Sequence, residues 1–107
     1  MAQLVVDGGV QSVFPPPDWG YWKHMVPDVE PKSVLILGIG LGTIAKMIKD
    51  KYPSARIVGV ENSRRVISMA MRLGLEKWCE QLEAGDAFRY VGLGKTEEFD
   101  LVLVDLW

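Results

Sequence analysis

The sequence predicts an α/β fold: a parallel sheet of strand order 3-2-1-4 with an N-terminal β-hairpin in front of it. Three observations carry this expectation. Near-continuous apolar runs stand at Val34–Leu37, Ala55–Val60 and Leu101–Val104, the habit of strands buried on both faces of a parallel sheet. Helical patterns separate the runs, and alternation of that kind gives parallel strands joined by right-handed crossovers. Gly38, Gly40 and Gly42 join the first run directly to the first helix.

The chain has 107 residues, 49% of them hydrophobic, enough for one real core. We divide it into residues 1–30, a hairpin with an aromatic arm, and residues 31–107, the half domain that carries the parallel sheet. The formal charge of -2 gives no general pull toward nucleic acid. The single cysteine, Cys79, excludes an internal disulfide and reads as a small buried hydrophobe in a reducing cytoplasm. No apolar run reaches the ~18 residues of a membrane span, no basic stretch marks a signal peptide, and no metal site is expected.

Leu4-Val5-Val6, Asp7-Gly8-Gly9 and Val10 to Phe14 read as a hairpin, since Asp-Gly between β-branched runs is a strong turn signal. Pro15-Pro16-Pro17 stops the second strand. Asp18 to Pro27, with Trp19, Tyr21, Trp22 and Met25, is too aromatic for a free linker. It reads as a short helix capped by Asp18, lying over the domain by plain packing or as a wall above a ligand. His24, the only histidine, has no partner in the sequence pattern and reads as a surface residue.

The first sheet strand falls near 34–38 and its helix near 42–51, ended by Tyr52-Pro53. Ala55 to Val60 is the second strand. Asn62 or Ser63 caps the next helix, which runs to about Leu73 and stops at Gly74. Its apolar stripe is Val66, Ile67, Ala70 and Leu73; Arg64, Arg65 and Arg72 face water; Met69 and Met71 read as core filling. A short helix at Leu75–Cys79, a third strand at Gln81–Ala84, a helical turn at Ala87–Val91 and a fourth strand at Phe99–Val104 complete the pattern.

In a doubly wound, Rossmann-like sheet the ligand lies outside the carboxyl ends of the strands, at the switch point between strands one and four. Glu61, Asp86 and Asp105 all fall at such ends. Each alone is weak evidence, since Asp86 and Asp105 also read as helix caps; three with a glycine turn suggest a site. Glu61, about twenty residues past the glycines, can accept both ribose hydroxyls. Asp86 can accept from an exocyclic amine such as adenine's, and Asp105 faces the reacting end. A dinucleotide fingerprint wants glycine or alanine where Thr43 stands. The tighter G-x-G-x-G spacing suits a ligand without a pyrophosphate, an S-adenosyl compound rather than NAD.

With those residues in place, the chain resembles the S-adenosylmethionine-dependent methyltransferase superfamily, and within it the spermidine synthase-like branch. Leu4-Val5-Val6-Asp7-Gly8-Gly9-Val10-Gln11 resembles that branch's L-x-L-D-G-x-x-Q hairpin, Val34 to Thr43 its V-L-I-I-G-G-G-D-G-G, and Phe99 to Asp105 its Y-D-V-I-I-x-D. The resemblance implies that Gln11 contacts the nucleoside, Glu61 holds the ribose, Asp86 reads the adenine and Asp105 helps deprotonate an attacking amine. Two departures stand out. Leu41 replaces the family's acid for the aminopropyl amine, and Lys23 stands where a polyamine-facing carboxylate is expected. The expectation is therefore an S-adenosylmethionine-binding transferase, moving a methyl group to a small acceptor. Its alternatives are aminopropyl transfer or a module that binds an S-adenosyl ligand without turnover.

Leu101–Val104 is apolar on both alternating sets of side chains, which suits a central strand, yet it is the last in the pattern. Either the chain is a fragment truncated after the fourth strand, or a partner covers that edge. Pairing of the strand with its copy in a homodimer, with Leu106 and Trp107 in the interface, is the simplest closed solution.

Overall fold

The computed structural model describes residues 2–6, 9–14, 22–92, 94 and 98–105, the first two segments by backbone alone. β1 (Ala2–Val6) and β2 (Gly9–Phe14) form the antiparallel hairpin. Their register runs Leu4 to Ser12 and then Val5 to Val10, so Gln11 is the extra residue of a β-bulge. Asp7, Gly8, Asp18, Trp19 and Tyr21 lie outside the described residues.

The second sheet comprises β3 (Ser33–Leu37), β4 (Arg56–Glu61), β5 (Gln81–Ala84) and β6 (Leu101–Val104). All its pairs are parallel and its order is β5-β4-β3-β6, the 3-2-1-4 order expected. Helices α1 (Trp22–Met25), α2 (Thr43–Lys51), α3 (Arg64–Arg72) and α4 (Ala87–Gly92) and a 3₁₀ turn at Leu75–Lys77 accompany it.

Alternate side chains of β3 and β4 feed two cores, because a strand turns successive residues to opposite faces. Val34, Ile36 and Ile57 pack with Ile44, Ala45 and Ile48 of α2, Ala70 of α3, Leu75, Cys79 and Trp22. Leu35, Leu37, Val58 and Val60 pack with Ala87 of α4, Tyr90 and Phe99. Trp22 is buried and His24 exposed, so this part of the aromatic arm is held by packing. Tyr52 helps, its hydroxyl donating to the Pro27 carbonyl at 2.7 Å.

Polar clamps fix the amino ends of the strands. The Asp100 carboxylate accepts from the backbone N–H groups of Lys32 (2.9 Å) and Ser33 (3.0 Å), tying the approach to β6 to the start of β3. Those bonds hold its pKa below the usual carboxylate range. Glu80 accepts from the Ile57 N–H at 2.6 Å and from the Lys49 ammonium, which also donates to the Ala55 carbonyl. Partial burial pushes the Glu80 carboxyl up, but the Lys49 and Ile57 bonds outweigh it and its pKa lies low.

One expectation is corrected. Met69 and Met71 are 38% and 45% exposed rather than core filling. Each lies one residue, about 100°, from Ala70, the centre of the buried stripe, so the helix turns both outward. The last strand lies at the edge of the sheet, as expected: Leu101 and Leu103 are half-buried against the α2 side, while Val102 and Val104 are exposed. Cys79 is buried, as expected; desolvation raises its thiol pKa although the Gln81 carbonyl accepts from it.

Candidate functional site

The turn between β3 and α2 is built by bonds that pull it back onto β4. The Gly38 and Ile39 N–H groups both donate to the Val60 carbonyl, at 2.9 and 3.2 Å. Gly42 N–H donates to the Ile39 carbonyl at 3.0 Å, and the Gly42 carbonyl accepts the first bond of α2, from Lys46. Gly42 sits at φ 89°, and a Cβ there would lie 2.7 Å from Leu75 Cδ1. The positive φ favours glycine, and any side chain would also have to displace the Leu75 methyl.

Glu61 ends β4 beside this turn and is only 7% exposed. Its Oε1 accepts from Gly40 N–H at 3.1 Å and its Oε2 from Ser63 N–H at 3.0 Å. One carboxylate therefore bridges the glycine turn and the start of α3. Ser63 in turn caps α3, its hydroxyl accepting from Val66 N–H at 3.3 Å. Asp86 follows β5 and caps α4, its Oδ1 accepting from Phe88 N–H at 2.9 Å. Asp105 follows β6, its N–H continuing the ladder to the Leu37 carbonyl at 2.8 Å.

These strand ends enclose a cleft of about 440 Å³. Gly38, Glu61, Asp86 and Asp105 all line it, so four residues singled out in the sequence meet in one place. Gly40 is tied to the cleft wall through Glu61, and Gly42 lies close to Leu75 and is not part of the lining. Gln11 sits at the hairpin bulge, and its side chain lies outside the described residues. The capping reading of Asp86 and its placement at a ligand site both hold: one oxygen caps, and the residue lines the cleft.

Sequence reasoning missed Phe88, 78% exposed on the cleft's rim, and Val66 and Ser63 in its wall. The signal for Phe88 was available. Ala87 and Tyr90 form α4's inward stripe, so Phe88 must point elsewhere. Leu41 is fully buried and lines no part of the cleft.

Three carboxylates around one cleft make an acceptor-rich surface. It suits a ligand that presents donors: a ribose diol, an exocyclic amine or an ammonium group. An exposed aromatic face beside it offers a platform for a planar ring. Among the described residues no group of three or more His, Cys, Asp and Glu side chains is arranged to hold a metal ion. No described helix is long and apolar enough to cross a membrane.

No family model and no curated protein sequence matches the chain. Among solved structures it is similar to the O-methyltransferase TomG from Streptomyces achromogenes, involved in tomaymycin synthesis and determined in complex with S-adenosylmethionine. The TM-score is 0.56 at 22% identity, over 72% of this chain and 38% of that one. The likeness is one of fold, and the chain spans well under half the length of that relative.

Proposed function

We propose that this chain binds an S-adenosyl compound in the cleft at the carboxyl ends of β3 to β6 and serves S-adenosylmethionine-dependent methyl transfer to a small acceptor. The observation that carries the reading is the convergence of Glu61, Asp86 and Asp105 on one cleft beside the glycine turn. Its volume of about 440 Å³ falls within the roughly 300–1,000 Å³ of ordinary small-molecule sites. The similarity to a methyltransferase solved with that ligand supports the same reading.

In this reading the Glu61 carboxylate takes the ribose hydroxyls with the acceptor capacity its backbone bonds leave, since each carboxylate oxygen accepts more than one bond. Asp86 reads the adenine amine, and Phe88 stacks against the ring. The bound ligand supplies a sulfonium-activated methyl carbon. The chain's part is orientation and proton handling. Asp105, beside Gly38 at the switch point, accepts the proton that an acceptor amine or hydroxyl gives up as the methyl carbon passes to it from sulfur, the carbon–sulfur bond breaking as the new bond forms.

Aminopropyl transfer is the less favoured reading. The position that carries the family's amine-binding acid is Leu41, buried away from the cleft. The same observation favours, as second reading, a module that binds an S-adenosyl ligand without turnover. We further propose that β6 pairs with its copy in a homodimer, since Val102 and Val104 are exposed on a strand with one described neighbour.

Calorimetric titration with S-adenosylmethionine, decarboxylated S-adenosylmethionine and NAD in parallel tests the ligand. Micromolar binding of the first and none of NAD is expected. Stronger binding of the decarboxylated form would move the assignment to aminopropyl transfer, and NAD binding alone would overturn it.

A further inference from the structure

We infer that the outer face of α3 is a docking surface for a protein partner that presents carboxylates between apolar side chains. Val66 and Ala70 are buried and anchor the helix, and at about 100° per residue this leaves an arc of about 160° facing water. Arg64, Ser68, Arg72 and Arg65 fill the middle of that arc. Met71 and Met69 stand at its two margins, 45% and 38% exposed. The helix does not need these charges where they stand. Arg64 and Arg65 occupy the first turn, which holds no acid, so they oppose the positive end of the helix dipole. None of the three arginines pairs with an acid among the described residues. The 3₁₀ turn packed beside α3 does not neutralise them, since its Glu76 and Lys77 cancel. α2 shows the ordinary solvated alternative: Asp50 and Lys51 are its exposed residues, and Lys46 pairs with Asp50. α3 carries no lysine, aspartate or glutamate. Arginine and methionine are enriched in protein interfaces, where lysine and the acids are depleted.

The arginines set the partner's charge and the methionines its class. Methionine adapts to apolar groups of varied shape, and a sugar–phosphate backbone offers none. α3 also starts at the cleft, where Glu61, Asp86 and Asp105 oppose a polyanion running past. A second copy docked about a two-fold axis would set arginine against arginine. A protein segment bearing both carboxylates and apolar side chains satisfies both features, each guanidinium taking a carboxylate in paired bonds. Docking here does not depend on what the cleft binds.

The test is fluorescence-anisotropy titration of the chain with a labelled helical peptide of glutamate and leucine. A glutamate–serine peptide, a lysine–leucine peptide and single-stranded oligothymidylate run beside it. Micromolar binding of the glutamate–leucine peptide is expected, weakening as salt rises, with the other three at least about tenfold weaker. The methyl NMR signals of Met69 and Met71 should move as it binds. Arg65→Glu with Arg72→Glu should weaken binding at least about tenfold, and Met69→Ser with Met71→Ser should weaken it several-fold. All four side chains are exposed, so thermal unfolding should report folded variants. Arg89→Glu, on the other side of the sheet, should bind as wild type. No binding of the glutamate–leucine peptide, binding that survives both variant pairs, or tighter binding of any other probe overturns the proposal. So do methyl signals that move with protein concentration alone, which would give the face to a second copy.

Discussion

Gly59 and Ile39 fit one another: a Cβ on Gly59 would lie 2.9 Å from Ile39 Cδ1. The absence of a side chain at Gly59 leaves the room that Ile39 fills. Gly59→Val is expected to destabilise by about 1–3 kcal/mol through overpacking, seen as a lower urea midpoint with unchanged slope. A paired Gly59→Val, Ile39→Gly variant should recover part of that loss; no recovery would remove the pairing argument. Glu80 carries the acid limb of stability. Its folded pKa lies below the unfolded value, so its contribution is complete above the unfolded pKa, roughly 4, and is lost as pH falls through the folded one. Urea midpoints measured from neutral pH downward should therefore fall less steeply in Glu80→Gln than in wild type. Asp100 works in the same direction, so the slope is reduced rather than abolished.

At the scale of elements, each helix on the cleft begins with a polar group that serves both the helix and the site. Ser63 caps α3, and Ser63→Ala should cost about 0.5–2 kcal/mol. Asp86 caps α4 and also lines the cleft, and one substitution separates the two duties. Asp86→Asn keeps an acceptor for Phe88 N–H but loses the carboxylate. Thermal unfolding should change little while affinity for S-adenosylhomocysteine falls about tenfold or more. Equal affinity in that variant would return Asp86 to capping alone. The elements themselves were legible in the sequence. Gln81–Ala84 and the end of the α2 helix before Pro53 stand where the pattern put them, because strand runs, caps and proline stops act over a few residues. What the pattern misjudged was the outward side of α3. Met69 and Met71 look like core by residue type, and only the helical angle from Ala70 turns them to solvent.

At the scale of the whole molecule, the sheet is covered unevenly. β3 and β4 are buried on both faces, while β6 presents Val102 and Val104, 37% and 59% exposed, and has one described neighbour. An apolar edge of this kind invites pairing. Light scattering across a concentration series should report a dimer, and Val104→Lys should shift it to monomer; a monodisperse wild-type monomer at high concentration would sink the pairing. The sequence alone determined the strand order, the glycine turn and the placing of Glu61, Asp86 and Asp105 at strand ends. Those follow from periodicity, turn chemistry and the handedness of crossovers, all local or topological rules. Only the tertiary structure decided what the side chains hold. Glu61 reaches Gly40, 21 positions away, and Asp100 reaches Lys32, 68 positions away. Such contacts depend on strand register and rotamer together, and neither is written in the residues that make them.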